Sequence, residues 1–230
     1  MLCSAGLDSA VLLADRAHAA RTEGTVVPVY VRVGLAWEDA ERAALDALLA
    51  APIFAAAGQT SRVEPLVVLD LDMRDVYPPS HWAIRGAAPA YDTPDEDVYI
   101  VGRNVVLLTK AAIACAYRGI GRIAIGPLAG NPFPDATPEF FAAMGQALSL
   151  GLAHGITIDA PFATWEKSAV IARGLELDVP LARTLSCMSP VDTGGAWLHC
   201  GQCSKCRERR DAFAEAGVDD PTIYAAASPR

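Results

Sequence analysis

Short runs rich in β-branched residues alternate along this chain with helix-length amphipathic segments, and that alternation limits the fold more than any other feature. Residues 25–33 (TVVPVYVRV), 62–71 (RVEPLVVLDL), 122–126 (RIAIG) and 155–159 (GITID) read as buried strands. Residues 8–21, 37–57, 103–118 and 165–174 read as helices, the second with a break at Pro52. Thr137 reads as an N-cap with Pro138 at the first helical position. Parallel neighbours need crossover connections, so the order predicts an α/β fold with a mainly parallel sheet. Residues 72–101, with four prolines and two acidic clusters, read as a long functional loop.

The 230 residues are 52% hydrophobic and 20% charged, enough for a sizeable core. The net charge of −8 argues against a nucleic-acid surface, but leaves room for a small anion held by backbone amides and a few cations. No apolar run reaches the roughly 18 residues of a membrane span, and the given sequence shows no basic stretch leading into an apolar one, so no secretory signal is expected from these residues. The expectation is a cytoplasmic protein with no membrane and no nucleic-acid partner.

Four of the six cysteines crowd one segment, spaced Cys187-x12-Cys200-x2-Cys203-x2-Cys206. Two-residue gaps let neighbouring thiolates face one ion, and four thiolates close a tetrahedral shell around structural zinc. Free buried thiols and an iron–sulfur cluster are the alternatives, because four sulfurs alone do not choose the metal. His199, beside Cys200, is a further potential ligand, and Gly201 suits a tight knuckle. Cys3 and Cys115 read as core residues.

Residues 3–10, CSAGLDSA, put a small-residue turn before a helix. Such a turn seats a phosphate on backbone amides at the positive end of the helix. An ordinary capped helix fits the same letters equally well.

SAGLDS resembles the SGGxDS loop of the PP-loop ATP pyrophosphatase family. Further stretches are similar to its 7-cyano-7-deazaguanine synthase branch: VGRNVVLL (101–108), NPFPDATPEF (131–140), APFATWEKSAVIARGLELDVP (160–180), SCMSP (186–190) and HCGQCSKCRERRDAF (199–213). The resemblance covers nearly the whole chain in order. It implies a doubly wound, mainly parallel five-stranded sheet of the adenine-nucleotide α-hydrolase type over residues 1–183. Residues 184–230 then form a small zinc-binding module with a helix. It also implies a homodimer and the ATP-dependent conversion of 7-carboxy-7-deazaguanine and ammonia to 7-cyano-7-deazaguanine, with Mg2+ on the ATP phosphates.

Carried over residue by residue, Ser4, Ala5, Gly6, Leu7 and Ser9 form the pyrophosphate loop. Asp8 helps to place magnesium or caps the helix. Arg103 contacts phosphate or holds the shape of the site, unless it is an exposed helix-end arginine, and Asn104 belongs to the same nucleotide-binding segment. Asp135 and Asn131 lie in the loop that cradles the deazapurine, although Asp135 also suits a simple turn. Lys167 is the family's lysine before the last core helix, a cation for phosphate charge. Asp8, Arg103 and Lys167 are the expected catalytic residues.

The chain departs from the family's pattern in several places. Only Met1 to Cys3 precede Ser4, where the family carries a full central strand, so the natural chain is expected to begin upstream. Ala5 replaces a glycine, which costs about 1–2 kcal/mol if φ is positive and otherwise only narrows the phosphate seat. VYVRVGLAWEDAE (29–41) lacks the family's YGQ, and Ala136 stands where a cysteine is common. Two other readings follow: a paralogue that adenylates a different carboxylate and stops at the amide, or a zinc-bearing regulatory protein without catalysis.

Overall fold

A computed structural model of the chain describes residues 1–20, 24–55 and 62–229. Helix α1 (Leu7–Ala19) is followed by β1 (Val29–Arg32), α2 (Glu38–Leu49), β2 (Val67–Asp70) and the single turn α3 (Trp82–Arg85). Next come α4 (Arg103–Tyr117), β3 (Arg122–Ala124), α5 (Pro138–Leu152), β4 (Thr157–Asp159) and α6 (Lys167–Glu176). The C-terminal segment adds β5 (Val191–Asp192), β6 (Trp197–Leu198) and α7 (Ser204–Glu215).

The regular strands form two parallel pairs, β1 with β2 and β3 with β4, and one antiparallel hairpin of β5 and β6. Between the two parallel pairs run Met1 to Cys3. The Val29 N–H donates to the Met1 carbonyl at 2.8 Å, and the Cys3 N–H to the Val29 carbonyl at 2.8 Å. On the other side the Leu2 N–H donates to the Ala124 carbonyl at 2.9 Å.

Side-chain burial follows the alternation of a pleated backbone. Met1, Cys3 and Tyr30 enter one apolar cluster, with residues of α1, α2, α6 and α7. Leu2, Val29 and Val31 enter a second cluster, with residues of α4 and α5. Helices therefore cover both sides of the strands, as their continuous apolar character requires.

The helix expected over 37–57 is shorter. It ends at Leu49 with Ala50 as its C-cap, and Pro52 sits in the turn beyond. Its last expected residues, 56 and 57, lie outside the described residues, as does residue 21 of the first helix. Thr137 does cap α5, accepting from the Phe140 N–H at 3.1 Å. The final core helix begins at Lys167 and runs two residues past the expected end. No helix among the described residues is long and apolar enough to cross a membrane.

Candidate active site and metal centre

A cavity of about 340 Å³ opens at the carboxyl ends of the parallel strands, where Cys3, Val33 and Ile125 lead into loops. Its floor is the turn from Ser4 into α1. The Ser4 hydroxyl accepts from the Gly6 N–H at 3.1 Å. The Ser9 hydroxyl accepts from the Ser4 N–H at 3.1 Å and donates to the Ser4 carbonyl at 2.6 Å. The two serines thus staple the turn. Among the described residues no side chain caps α1, so its positive end is left to the cavity.

Gly6 has an extended backbone, φ −60° and ψ 150°, so its value here is space. A Cβ at this position would stand 3.2 Å from the Ser4 hydroxyl. Ala5 is fully buried in the core and is not in the left-handed region. Its methyl carries no positive-φ strain, and its carbonyl accepts from the Leu185 N–H at 2.8 Å. Leu7 likewise puts its side chain into the core while bordering the cavity.

The cavity wall beyond α1 is charged. Lys167, at the first position of α6, donates from Nζ to Asp8 Oδ2 at 3.2 Å across 159 residues of sequence. It also donates to Glu208, which is shared with Lys205. Lys205 in turn reaches Asp95 at 3.4 Å. Burial opposes the charge on Lys167, but the carboxylates of Asp8 and Glu208 outweigh it and push its pKa upward. Burial would raise Glu208 too, yet the two lysines bring it down to about 2. Asp8 Oδ1 is buried with no hydrogen-bond partner among the described residues, as is Arg103 Nε.

Arg103 and Asn104 open α4, after Gly102 in the left-handed conformation. Asp135 Oδ2 accepts from the Asn104 N–H at 3.0 Å, and Asn104 Nδ2 donates to the Asp135 carbonyl at 3.0 Å. Asp135 therefore caps the start of α4 from another loop, and burial raises its pKa against those hydrogen bonds and the nearby Arg103 charge. Asn131 accepts from the Phe133 N–H at 2.9 Å in its own turn. All of the expected loop and cavity residues border this one cavity except Ala5.

Several lining residues escaped the sequence reading: Tyr30, Glu38 and Glu41, the stacked pair Trp37 and Trp82, and Lys205 with Glu208. Trp82 comes from the proline-rich 72–101 segment, expected to be loop and not core, which contains α3 and sends Tyr77, Ala83, Val98 and Ile100 into the second apolar cluster. The others sit inside a strand or helix pattern that reads as ordinary, and only the crossing of the chain brings them together.

The four cysteine sulfurs lie within 4.8 Å of one another. The edges Cys187–Cys203, Cys200–Cys206 and Cys203–Cys206 measure 3.9, 3.8 and 3.5 Å. A sulfur tetrahedron with metal–sulfur bonds of about 2.3 Å has edges of about 3.8 Å, so the donor set fits a zinc-sized ion. Backbone N–H groups of Ser189 and Cys200 point to the Cys187 sulfur at 3.3 and 3.2 Å, as a thiolate favours. His199 stands outside this set, its Nε2 accepting from the Ser186 N–H at 3.1 Å. Gly201, at φ +80°, turns the knuckle, and a Cβ there would lie 2.1 Å from the Ala226 carbonyl oxygen. Four cysteines close together can bind a metal such as zinc, and no ligand position in such a shell stays open for chemistry.

The chain is similar to proteins named 7-cyano-7-deazaguanine synthase. Its likeness to that of Syntrophotalea carbinolica is 32% identity over 98% of this chain and 95% of the relative. For Paramagnetospirillum magneticum it is 31% over 98% and 97%. The match to the Caldicellulosiruptor bescii protein, at 35%, spans 58% of this chain and only 59% of that relative's length. The model of the family described as "Queuosine biosynthesis protein QueC" matches residues 1–217, which takes in both the phosphate-type turn and the four-cysteine cluster, and the chain belongs to that family.

Proposed function

We propose that this chain is an ATP-dependent ligase that converts 7-carboxy-7-deazaguanine and ammonia to 7-cyano-7-deazaguanine. The observation that carries the reading is the meeting of Lys167 with Asp8 at the uncapped start of α1, in one cavity with Arg103 and Asp135.

A carboxylate is a poor acyl donor because its leaving group would be oxide. Attack of the substrate carboxylate on the ATP α-phosphorus gives an acyl-adenylate and pyrophosphate. Ammonia then displaces AMP and leaves the amide. A second ATP activates the amide oxygen in the same way, and loss of AMP with two protons leaves the nitrile. The protein's part is positioning and neutralisation of charge. On this reading the turn of Ser4, Ala5, Gly6, Leu7 and Ser9 seats the pyrophosphate, while Lys167 and Arg103 meet developing phosphate charge. Magnesium neutralises the phosphates when bound, and Asp8, whose Oδ1 has no protein partner, is the residue available to it. The Asn104–Asp135 pair and Asn131 shape the loop around the nucleotide and the deazapurine.

The same reading takes β2, β1, residues 1–3, β3 and β4 as one doubly wound five-stranded sheet. It divides the chain at residue 183 into a nucleotide-binding domain and a zinc module, and assigns a cytoplasmic homodimer that takes small molecules and no nucleic acid. The test is incubation of the chain with 7-carboxy-7-deazaguanine, MgATP and ammonium, read by mass spectrometry. The expected product is the nitrile with two AMP. An amide as the end product moves the chain to the paralogue reading, and absence of AMP with this acceptor overturns the proposal.

A further inference from the structure

Two glutamates of α2 border the cavity, and they differ in what they are given to do. Glu38 Oε1 accepts from the Val33 and Gly34 N–H groups at 2.7 and 3.1 Å, and Oε2 accepts from the Gly34 N–H at 3.1 Å. It has a complete structural task, holding the turn after β1. Glu41, one helical turn on, is only 8% exposed and accepts a single hydrogen bond, from the Tyr30 hydroxyl to Oε2 at 2.8 Å. Among the described residues no lysine or arginine forms an ion pair with it. Arg103 acts on it through space, and Arg103 Nε is itself buried and unpartnered.

A carboxylate offers about four lone-pair sites, and burying one with a single donor is costly unless another partner arrives. The cavity is where such a partner has access. Trp37 and Trp82, stacked with centroids 5.7 Å apart and planes 13° from parallel, line the same cavity. A carboxylate and aromatic side chains in one cavity suit a flat heterocycle that presents N–H groups along one edge.

We propose that Glu41 reads the N–H donor edge of a purine-type base held in this cavity. The inference rests on the purine-ligand part of the function proposed above. Two sources share the required chemistry: the N1–H and 2-amino edge of the deazaguanine acceptor, and the 6-amino group of ATP.

The experiment measures binding of MgATP and of 7-carboxy-7-deazaguanine, each alone, to the wild-type chain and to Glu41→Gln. Two analogues are added: the acceptor without its 2-amino group, and the triphosphate of unsubstituted purine riboside. Glu41→Gln keeps an oxygen for Tyr30 but turns the other acceptor into a donor. Loss of about 10- to 100-fold is expected for one ligand, the range for a hydrogen bond to a charged group, with the other unchanged. The wild-type chain should reject the matching analogue by a similar factor, and the variant should not. Weakened acceptor binding assigns the acceptor edge, and weakened ATP binding assigns the 6-amino group. Unchanged affinities in the variant overturn the proposal, as does a wild-type chain indifferent to both missing amino groups. Equal loss for both ligands with a lowered melting temperature also overturns it, since that marks a structural carboxylate. A chain that binds MgATP but no acceptor defeats the proposed reaction, and the ATP arm alone then decides Glu41.

Discussion

Lys167 shows how much one side chain carries at the charged wall. Its ammonium holds Asp8 and Glu208 together, although these acids lie on helices at opposite ends of the chain. Replacing Lys167 by Met leaves two part-buried carboxylates facing each other and removes a cation from the charged wall of the cavity. Under the proposed function, kcat/KM for ATP should fall by about 100-fold or more, on the scale of losing one electrostatic stabiliser in a closed site. Lys167→Arg should not restore it, because a planar fork cannot occupy the place of a compact ammonium between two acids. Steady-state release of pyrophosphate measures both. Ala5 teaches the opposite lesson. Its methyl, a departure from the expected glycine, turns into the core and leaves the seat unchanged, so Ala5→Gly should alter ATP affinity by less than about 3-fold.

At the scale of elements, the site depends on how closely α6 lies on α1. Gly174 permits it: a Cβ there would stand 2.8 Å from Val11 Cγ2. Asp15 of α1 then accepts from Arg173 of α6 at 3.0 Å, and from the adjacent Arg16 at 2.5 Å. Burial would raise the Asp15 pKa, but the two arginines outweigh it and hold it below the ordinary value of 3.8. The sign of the pH dependence follows. A carboxylate depressed on folding contributes stability that is complete above its unfolded pKa and is lost as pH falls through the lower folded value. Urea midpoints taken from about pH 6 down to about pH 2.5 should therefore drop more steeply for the wild type than for Asp15→Asn. Arg173→Met should cost about 1–3 kcal/mol at neutral pH, since it leaves a mostly buried acid with one partner fewer. Equal acid slopes for wild type and Asp15→Asn would remove the pair from the account of how α6 places Lys167.

For the whole molecule, the four-cysteine cluster and the phosphate-type turn are not separate. Cys187, Cys203 and Cys206 belong to the same apolar cluster as Leu7, Val11 and Leu12 of α1. Lys205 and Glu208 reach the cavity from a helix that starts between two of the cysteines. Under the proposed function, with zinc held by the four cysteines, removing the zinc with a chelator should lower the melting temperature and speed amide exchange over residues 184–215. It should also weaken MgATP binding by about 10-fold, because four unscreened thiolates no longer hold the start of α7. Unchanged ATP affinity after complete metal loss would show that the two sites are energetically independent. The sequence by itself determined the α/β alternation, the neighbourhoods of β1 to β4 though not their shorter extents, a Pro52 break that agrees with α2 ending at Leu49, the Thr137 cap and the four metal-type cysteines. Each is set by local periodicity, backbone preference or short spacing. Tertiary structure alone decided that Asp135 caps α4. It also decided that Glu41 is left with one donor and that Lys167 stands between Asp8 and Glu208. Those outcomes depend on which faces of distant segments meet, and no window of neighbouring residues contains that information.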